Sequence, residues 1–256
     1  MLHGDVRPAT DELLMTSEIG EYFERIYVIH LPERVDRYVA LGRALRTLGI
    51  DIGGHKVRIP AAPRPSDSNQ FPSRAVYGNF LSHLEILKEA RRDGISNVLV
   101  LEDDAMFSRR MVKTQAALVE TLQNVPWDLC FFGHSLKSEL RGCPTGLVSH
   151  KASFIWAHCY AVNARVFTKL IDYMEITSRR PPGHPLGARM YIDAVFTHFR
   201  ALNPSVITLV SNPVLSLQRG SPSSIAGHGW YPAIRWLHPI IDLTRTARDQ
   251  LWRLTS

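Results

Sequence analysis

Four consecutive apolar residues, Val98 to Leu101, run straight into three consecutive carboxylates, Glu102, Asp103 and Asp104. No other stretch constrains the chain as much. A short, wholly apolar run bounded by charge reads as a strand buried on both faces, the kind found in parallel sheets. Such a sheet needs helices on both sides, and its ligand crevice lies at the carboxyl ends of its strands. The three acids therefore fall where a ligand would sit. They repel one another unless a positive charge offsets them. One reading is a solvated acidic loop that merely ends the strand. The other is a platform of hard oxygen ligands for Mg²⁺ or Mn²⁺, which would in turn hold a diphosphate.

The surrounding sequence supplies the rest of such a sheet. Arg25 to Leu31 is β-branched and aromatic and predicts a strand. Pro32 then permits a helix start, and Val35, Val39, Leu41, Leu45 and Leu48 form a helical stripe ending at Gly49. Lys56 to Ile59 reads as a short strand, and 60–72 as a loop rich in Pro, Ser, Asp and Asn. Helices are expected over 76–93 and 109–123, and strands over 127–132 and 154–162. Asn163 should cap a further helix through Tyr173. After a Pro- and Gly-rich loop at 179–187, a helix is expected over 190–199 and a strand over 206–210. The alternation predicts an α/β fold with a single Rossmann-like, mostly parallel sheet covered by helices on both faces. Residues 1–19 read as a lead-in, 20–228 as the folded domain, and 229–256 as a tail of different character.

The 256 residues can bury one sizeable core. No run of about 18 apolar residues predicts a membrane-spanning helix. Residues 1–19 mix acids with apolar residues and do not read as a secretory signal. The three cysteines, Cys130, Cys143 and Cys159, are too scattered for a disulfide framework or a zinc site. Cys130 and Cys159 sit in apolar segments and read as core thiols in a reducing, cytoplasmic setting. The formal net charge of +6 comes from dispersed basic residues, and no nucleic-acid-binding motif is present. A nucleotide diphosphate or an anionic membrane surface is the expected partner.

Four segments carry a more specific signal. They are Tyr27-Val28-Ile29-His30-Leu31-Pro32-Glu33-Arg34-Val35-Asp36-Arg37; Gly78-Asn79-Phe80-Leu81-Ser82-His83; Leu101-Glu102-Asp103-Asp104; and Pro213 through Gln218 to Ser224-Ile225. In this order and spacing they resemble glycosyltransferase family 25, the lipooligosaccharide β-galactosyltransferase family that also includes collagen galactosyltransferases. The resemblance covers about Ile26 to Ile225. His30 stands where the family usually has Asn, the family's cysteine is absent from the Gly78–His83 segment, and 58–63 lacks an acid often found there.

The resemblance implies a GT-A-like fold and a nucleotide-sugar donor. It implies Asp104 as direct metal ligand, with Glu102 beside it facing the metal, a metal-bound water or the ribose, and Asp103 supporting the loop. Arg34 and Arg37 follow the first strand, where a doubly wound sheet places its nucleotide, and arginine suits phosphate. Ser82, Gln218 and Ser224 are expected at the donor site. His83 is expected to have an active-site role, hydrogen bonding to the donor or to the acid loop. Asp193, a lone acid among Tyr191, Ile192, Ala194, Val195 and Phe196, is expected to be buried, which would raise its pKa and suit it to act as general base. His134, His158, His198 and His228 give no basis for choosing an additional metal ligand.

Together these expectations describe an inverting transferase, dependent on Mn²⁺ or Mg²⁺, that moves a hexose, first of all galactose from UDP-galactose, to a cell-surface glycan such as lipopolysaccharide. The rivals are a transferase of another sugar or onto a protein acceptor, and a catalytically silent homologue that only binds a sugar nucleotide. In the tail, Trp230, Tyr231, Trp236 and Trp252 accompany Arg235, Arg245, Arg248 and Arg253. That composition suits either a peripheral contact with the inner face of the cytoplasmic membrane, where a lipid-linked oligosaccharide acceptor would lie, or a helix packed on the domain.

Overall fold

The computed structural model describes residues 17–136 and 139–219. In chain order its elements are α1 (Glu18–Tyr22), β1 (Arg25–Ile29), α2 (Val35–Thr47), β2 (Val57–Arg58), α3 (Arg74–Arg92), β3 (Asn97–Glu102), β4 (Ala105–Phe107), α4 (Arg109–Lys113), α5 (Gln115–Asn124), β5 (Leu129–Phe131), β6 (Gly146–Ser149), β7 (Cys159–Asn163), α6 (Ala164–Arg179), α7 (Ile192–Leu202), β8 (Thr208–Asn212) and β9 (Ser216–Gln218).

Seven strands form one sheet in the order β2-β1-β3-β7-β5-β8-β6, and β4 pairs with β9 in a separate ribbon. Strands β2, β1, β3, β5 and β8 run one way, while β7 and β6 run against them. The expected α/β architecture, a mostly parallel sheet with helices on both faces, is therefore present. The period-two geometry of a strand explains the apolar run. Val98 and Val100 enter one hydrophobic core with α3, α6 and α7, while Leu99 and Leu101 enter the other with α1, α2 and α5. Cys130 and Cys159 lie in the second core, both buried free thiols, while Cys143 is exposed.

Local chemistry sets the helix ends. Ser73, Ser108 and Asn163 accept backbone N–H bonds at the starts of α3, α4 and α6. Gly94, at φ 68°, closes α3 and lets the chain turn into β3. The structure departs from the sequence reading in four places. The helix expected over 109–123 is broken at Thr114, whose hydroxyl bonds back to the Arg110 carbonyl. The strand expected over 154–162 begins only at Cys159. Strands β4, β6 and β9 are too short to have shown a pattern. Residue 19, placed in the lead-in, is inside α1 and fully buried. The remaining lead-in residues 1–16, and the tail 229–256, lie outside the described residues.

Arg200 fastens the irregular segment before β7 to the core. Its Nε donates to Thr208 Oγ1 at 3.0 Å, and one terminal nitrogen donates to the carbonyls of His150 and Ala152 at 2.9 and 3.1 Å. The guanidinium lies 4.4 Å from the centre of the Phe154 ring, and burial lowers its pKa to about 10. Arg200→Met removes every one of these donors and leaves three buried or half-buried acceptors unpaired. It should lower the unfolding free energy in urea by about 2–4 kcal/mol. A change within about 0.5 kcal/mol, the usual range for inconsequential surface substitutions, would show that the guanidinium is not the anchor.

Candidate active site

A cleft of about 800 Å³ opens at the carboxyl ends of β1 and β3 and the start of β7. Glu102, Asp103 and Asp104 form its floor, and Arg34, Arg37, Ser82, Asp193 and Gln218 line it. Gly78 lies on α3 under the loop 60–72. A Cβ there would stand 3.1 Å from the Pro63 carbonyl oxygen, so any larger residue would need the loop to give by a few tenths of an ångström.

The three acids are not equivalent. Asp103 receives His30 Nδ1–H at 2.9 Å on one oxygen and Arg37 at 2.8 Å on the other, and its backbone N–H donates to the Ile29 carbonyl. It locks the acid loop to β1 and α2. Glu102 receives Asn79 Nδ2 on Oε1 at 3.1 Å and Gln218 Nε2 on Oε2 at 3.3 Å, and His83 Nε2 stands 3.5 Å from Oε1. Burial pushes the Glu102 carboxyl up, but the adjacent His83 and the Asn79 hydrogen bond outweigh it and hold the pKa below its ordinary value. Glu102 is thus a fixed, ionised carboxylate with N–H donors on both oxygens. One donor on each oxygen leaves each a free lone pair, so the expected metal-facing role of Glu102 is neither met nor excluded by these bonds.

Asp104 differs from both. Its Oδ2 is 3.3 Å from Arg37, while its buried Oδ1 has no hydrogen-bond partner among the described residues. Burial, with the Glu102 and Asp103 charges adding to it against Arg37, raises its pKa from 3.8 to about 7. Asp104 lines the cleft, and a carboxylate with an unpartnered oxygen fits a cation as a hard donor.

His83 is fully buried and does not line the cleft. The buried Tyr160 hydroxyl lies 2.7 Å from His83 Nδ1. Burial keeps that phenol protonated, so it is placed to donate to Nδ1 and leave the imidazole proton on Nε2. Of the two expected partners, the donor and the acid loop, His83 faces the acid loop, with Nε2 3.5 Å from Glu102 and no hydrogen bond of its own. Ser82 lines the cleft with its hydroxyl bonded to the Gly78 carbonyl in its own helix.

Arg34 lines the cleft at the start of α2 and pairs with Asp36 through two nitrogens, at 3.0 and 2.9 Å. That pairing offsets the unfavourable placement of a cation at a helix N-terminus. Asp193 is half-exposed in the first turn of α7, not buried as expected. Its Oδ1 accepts from the Ala194 N–H at 2.8 Å and its Oδ2 from the Trp156 N–H at 3.4 Å. Gln218 reaches the site because β9 pairs with β4, directly after the acids, and Arg219 N–H donates to the Asp104 carbonyl. Ser224 and His228 lie outside the described residues. Of the other spare histidines, His134 and His158 are fully buried and His198 is half-buried on α7, and none of them lines the cleft. Sequence reasoning assigned no role to Trp156 and Tyr191, which also line the cleft. Nothing in their local sequence marks them out.

No family model matches the chain. The chain is similar to the inactive glycosyltransferase 25 family member 3 of Homo sapiens, 29% identical over 146 residues, which are 54% of this chain and 23% of that protein. It is also similar to the probable inactive glycosyltransferase 25 family member 3 of Bos taurus, 29% identical over 129 residues, 50% of this chain and 20% of that protein. The chain thus spans less than a quarter of the length of these curated relatives. The family resemblance carried by the motifs is borne out by these relatives. A solved glycosyltransferase involved in the glycosylation of the major capsid of PBCV-1 aligns with 77% of this chain and 94% of its own, at a TM-score of 0.48 and 11% identity.

The Asp104 environment makes a stability prediction. Between its ordinary 3.8 and its raised value of about 7, the folded protein keeps a proton that the unfolded chain has released. Rising pH across that window therefore costs stability. Asp104→Asn, which carries no such proton, should melt at a higher temperature than the parent above pH 7 in chelator, the gap closing toward pH 4. Equal melting temperatures across the window would mean that the carboxylate is not held against its charge.

Proposed function

We propose that the chain is a metal-dependent, inverting hexosyltransferase of GT-A architecture that takes a UDP-sugar, galactose first, and passes the hexose to a hydroxyl of a cell-surface glycan such as lipopolysaccharide. The observation that carries this reading is Asp104, a buried carboxylate with a free oxygen on the floor of a cleft at the strand ends. Mn²⁺ or Mg²⁺ suits that donor, because such an ion is commonly held by one or two carboxylates with substrate phosphates and water completing its shell. Among the described residues no three metal-ligating side chains converge, so the fit is to a cation arriving with its diphosphate. Bound there, the ion would supply Lewis-acid stabilisation of the charge on the departing diphosphate.

The chain's own groups divide the remaining work. Arg34 presents a guanidinium to the donor end of the cleft. Arg37 and His30 hold the acid loop through Asp103. Asn79, His83 and Gln218 keep Glu102 ionised and immobile, facing the donor. Asp193 is the carboxylate that takes the proton from the acceptor hydroxyl as it attacks the anomeric carbon. Attack from the face opposite the diphosphate inverts that carbon, so an α-linked donor gives a β-linked product. The reading sets the enzyme at the inner face of the cytoplasmic membrane. No helix among the described residues is long and apolar enough to cross a membrane.

The silent reading, a sugar-nucleotide-binding homologue without turnover, is favoured by one observation: the curated relatives are named inactive. UDP release from a panel of UDP-sugars with Mn²⁺, with and without simple glycoside acceptors, separates the two. The enzyme reading expects turnover that chelator abolishes. Asp104→Asn should lose both Mn²⁺ binding and turnover, while Asp193→Asn should keep UDP affinity and lose about 10²–10⁴ in rate. UDP binding with no turnover for any donor would establish the silent homologue. An α-linked product, read from proton couplings, would exclude the inverting mechanism.

A further inference from the structure

We propose that Trp156 and Tyr191 form the acceptor subsite, an aromatic platform that stacks on the C–H face of a pyranose ring and presents one of its hydroxyls to Asp193. The inference rests on the transferase reading above and gives its glycan acceptor a place in the cleft.

Trp156 adopts φ 79°. The left-handed region suits glycine and tolerates asparagine, but for a bulky aromatic it is an outlier that persists only where the surroundings over-determine it. Here they do. Thr197 Oγ1 donates to the Phe154 carbonyl at 2.9 Å. Ile155 and Ser135 exchange two hydrogen bonds, both 3.1 Å. The Trp156 N–H itself donates to the Asp193 carboxylate. The segment is held at Phe154, Ile155 and Trp156, and one of the pins is the proposed base.

The ring gains little from the fold in return. Trp156 is half-exposed and belongs to neither hydrophobic core. Its one ring neighbour among the described residues is His158, 6.3 Å away and edge-on. Tyr191 stands 47% exposed at the start of α7, two residues before Asp193. Two large aromatic residues thus line the cleft beside a carboxylate, and Tyr191 is the exposed aromatic among the described residues.

Their position matches the side from which an acceptor must come. In the sheet β3 lies between β1 and β7. Arg34 follows β1, the acids end β3, and Trp156 precedes β7, with Leu101 opposite Cys159 in register. The aromatic pair therefore lies on the flank of the acid loop away from Arg34, where the diphosphate is placed. A pyranose offers an apolar face of axial C–H groups rimmed by hydroxyls. An aromatic ring beside a carboxylate complements both parts.

The test uses the full chain with UDP and Mn²⁺, and methyl β-galactoside, methyl β-glucoside and methyl α-mannoside as probes in saturation-transfer NMR. UDP affinity is measured in parallel by calorimetry. The native chain should contact the ring protons of at least one glycoside. Trp156→Gly and Tyr191→Ala should each weaken that contact about tenfold, the loss of one aromatic stacking surface, with UDP affinity unchanged. Trp156→Gly should melt no lower than the native chain, because glycine adopts φ 79° without strain. A glycoside contact unchanged in Tyr191→Ala, or absent from the native chain, overturns the proposal. So does a loss that tracks UDP affinity, since the rings would then stack on the uracil. A native chain that contacts glycosides but binds no UDP would sink the transferase reading and leave the saccharide platform standing.

Discussion

The cleft depends on how three adjacent carboxylates are kept at the end of a buried strand. At an effective dielectric of about 20, two like charges about 4 Å apart repel by about 4 kcal/mol, so the loop cannot hold its shape without compensation. The compensation comes from four separate elements. His30 and Arg37, from the end of β1 and from α2, neutralise Asp103. Asn79 and His83 on α3, and Gln218 on β9, surround Glu102. The sheet order puts β1 beside β3, and the β4–β9 ribbon returns the chain to the acids. The topology thus does electrostatic work: each crossover delivers a donor to the same strand end.

The consequence is a division of labour within one tripeptide. Two acids are paired inside the protein. The third keeps an oxygen unpaired. In the proposed reading, a cation held here would need few protein ligands, because the paired acids already fix the loop. It also explains why His83 and Tyr160 are buried together behind Glu102. His83 faces that carboxylate, and the pair presents nothing to the cleft.

The sheet was legible because its signal is strong and local. Val98 to Leu101 and Leu129 to Phe131 are apolar on both faces, as a strand between two cores must be. Strands β4, β6 and β9, at three or four residues, fall below any readable period. The identity of the acids was legible, but their separate roles were not. Those roles are set by partners 66 and 73 residues away in sequence, and no local pattern encodes that pairing. Asp193 was misjudged for a related reason. Its apolar neighbours predicted burial, but α7 begins at Ile192, and the first turn of a helix directs such a residue differently from its interior. Trp156 escaped notice because backbone strain leaves no trace in composition.

Buried polar atoms without a partner and non-glycine residues at positive φ occur at several places among the described residues, and one of each kind lies at the cleft. A buried carboxylate oxygen has no partner at Asp104, and a bulky aromatic has a left-handed backbone at Trp156. Glycine would adopt the Trp156 backbone without strain, and asparagine at 104 would carry no charge to bury. Sequences that specify one fold tend to agree across all levels except where function requires otherwise. The fold places both departures at residues that line the cleft. It also ties the second to Asp193. The Trp156 N–H that holds the strained residue in place is bonded to Asp193, so the group placed to bind the acceptor and the group placed to deprotonate it share one geometry.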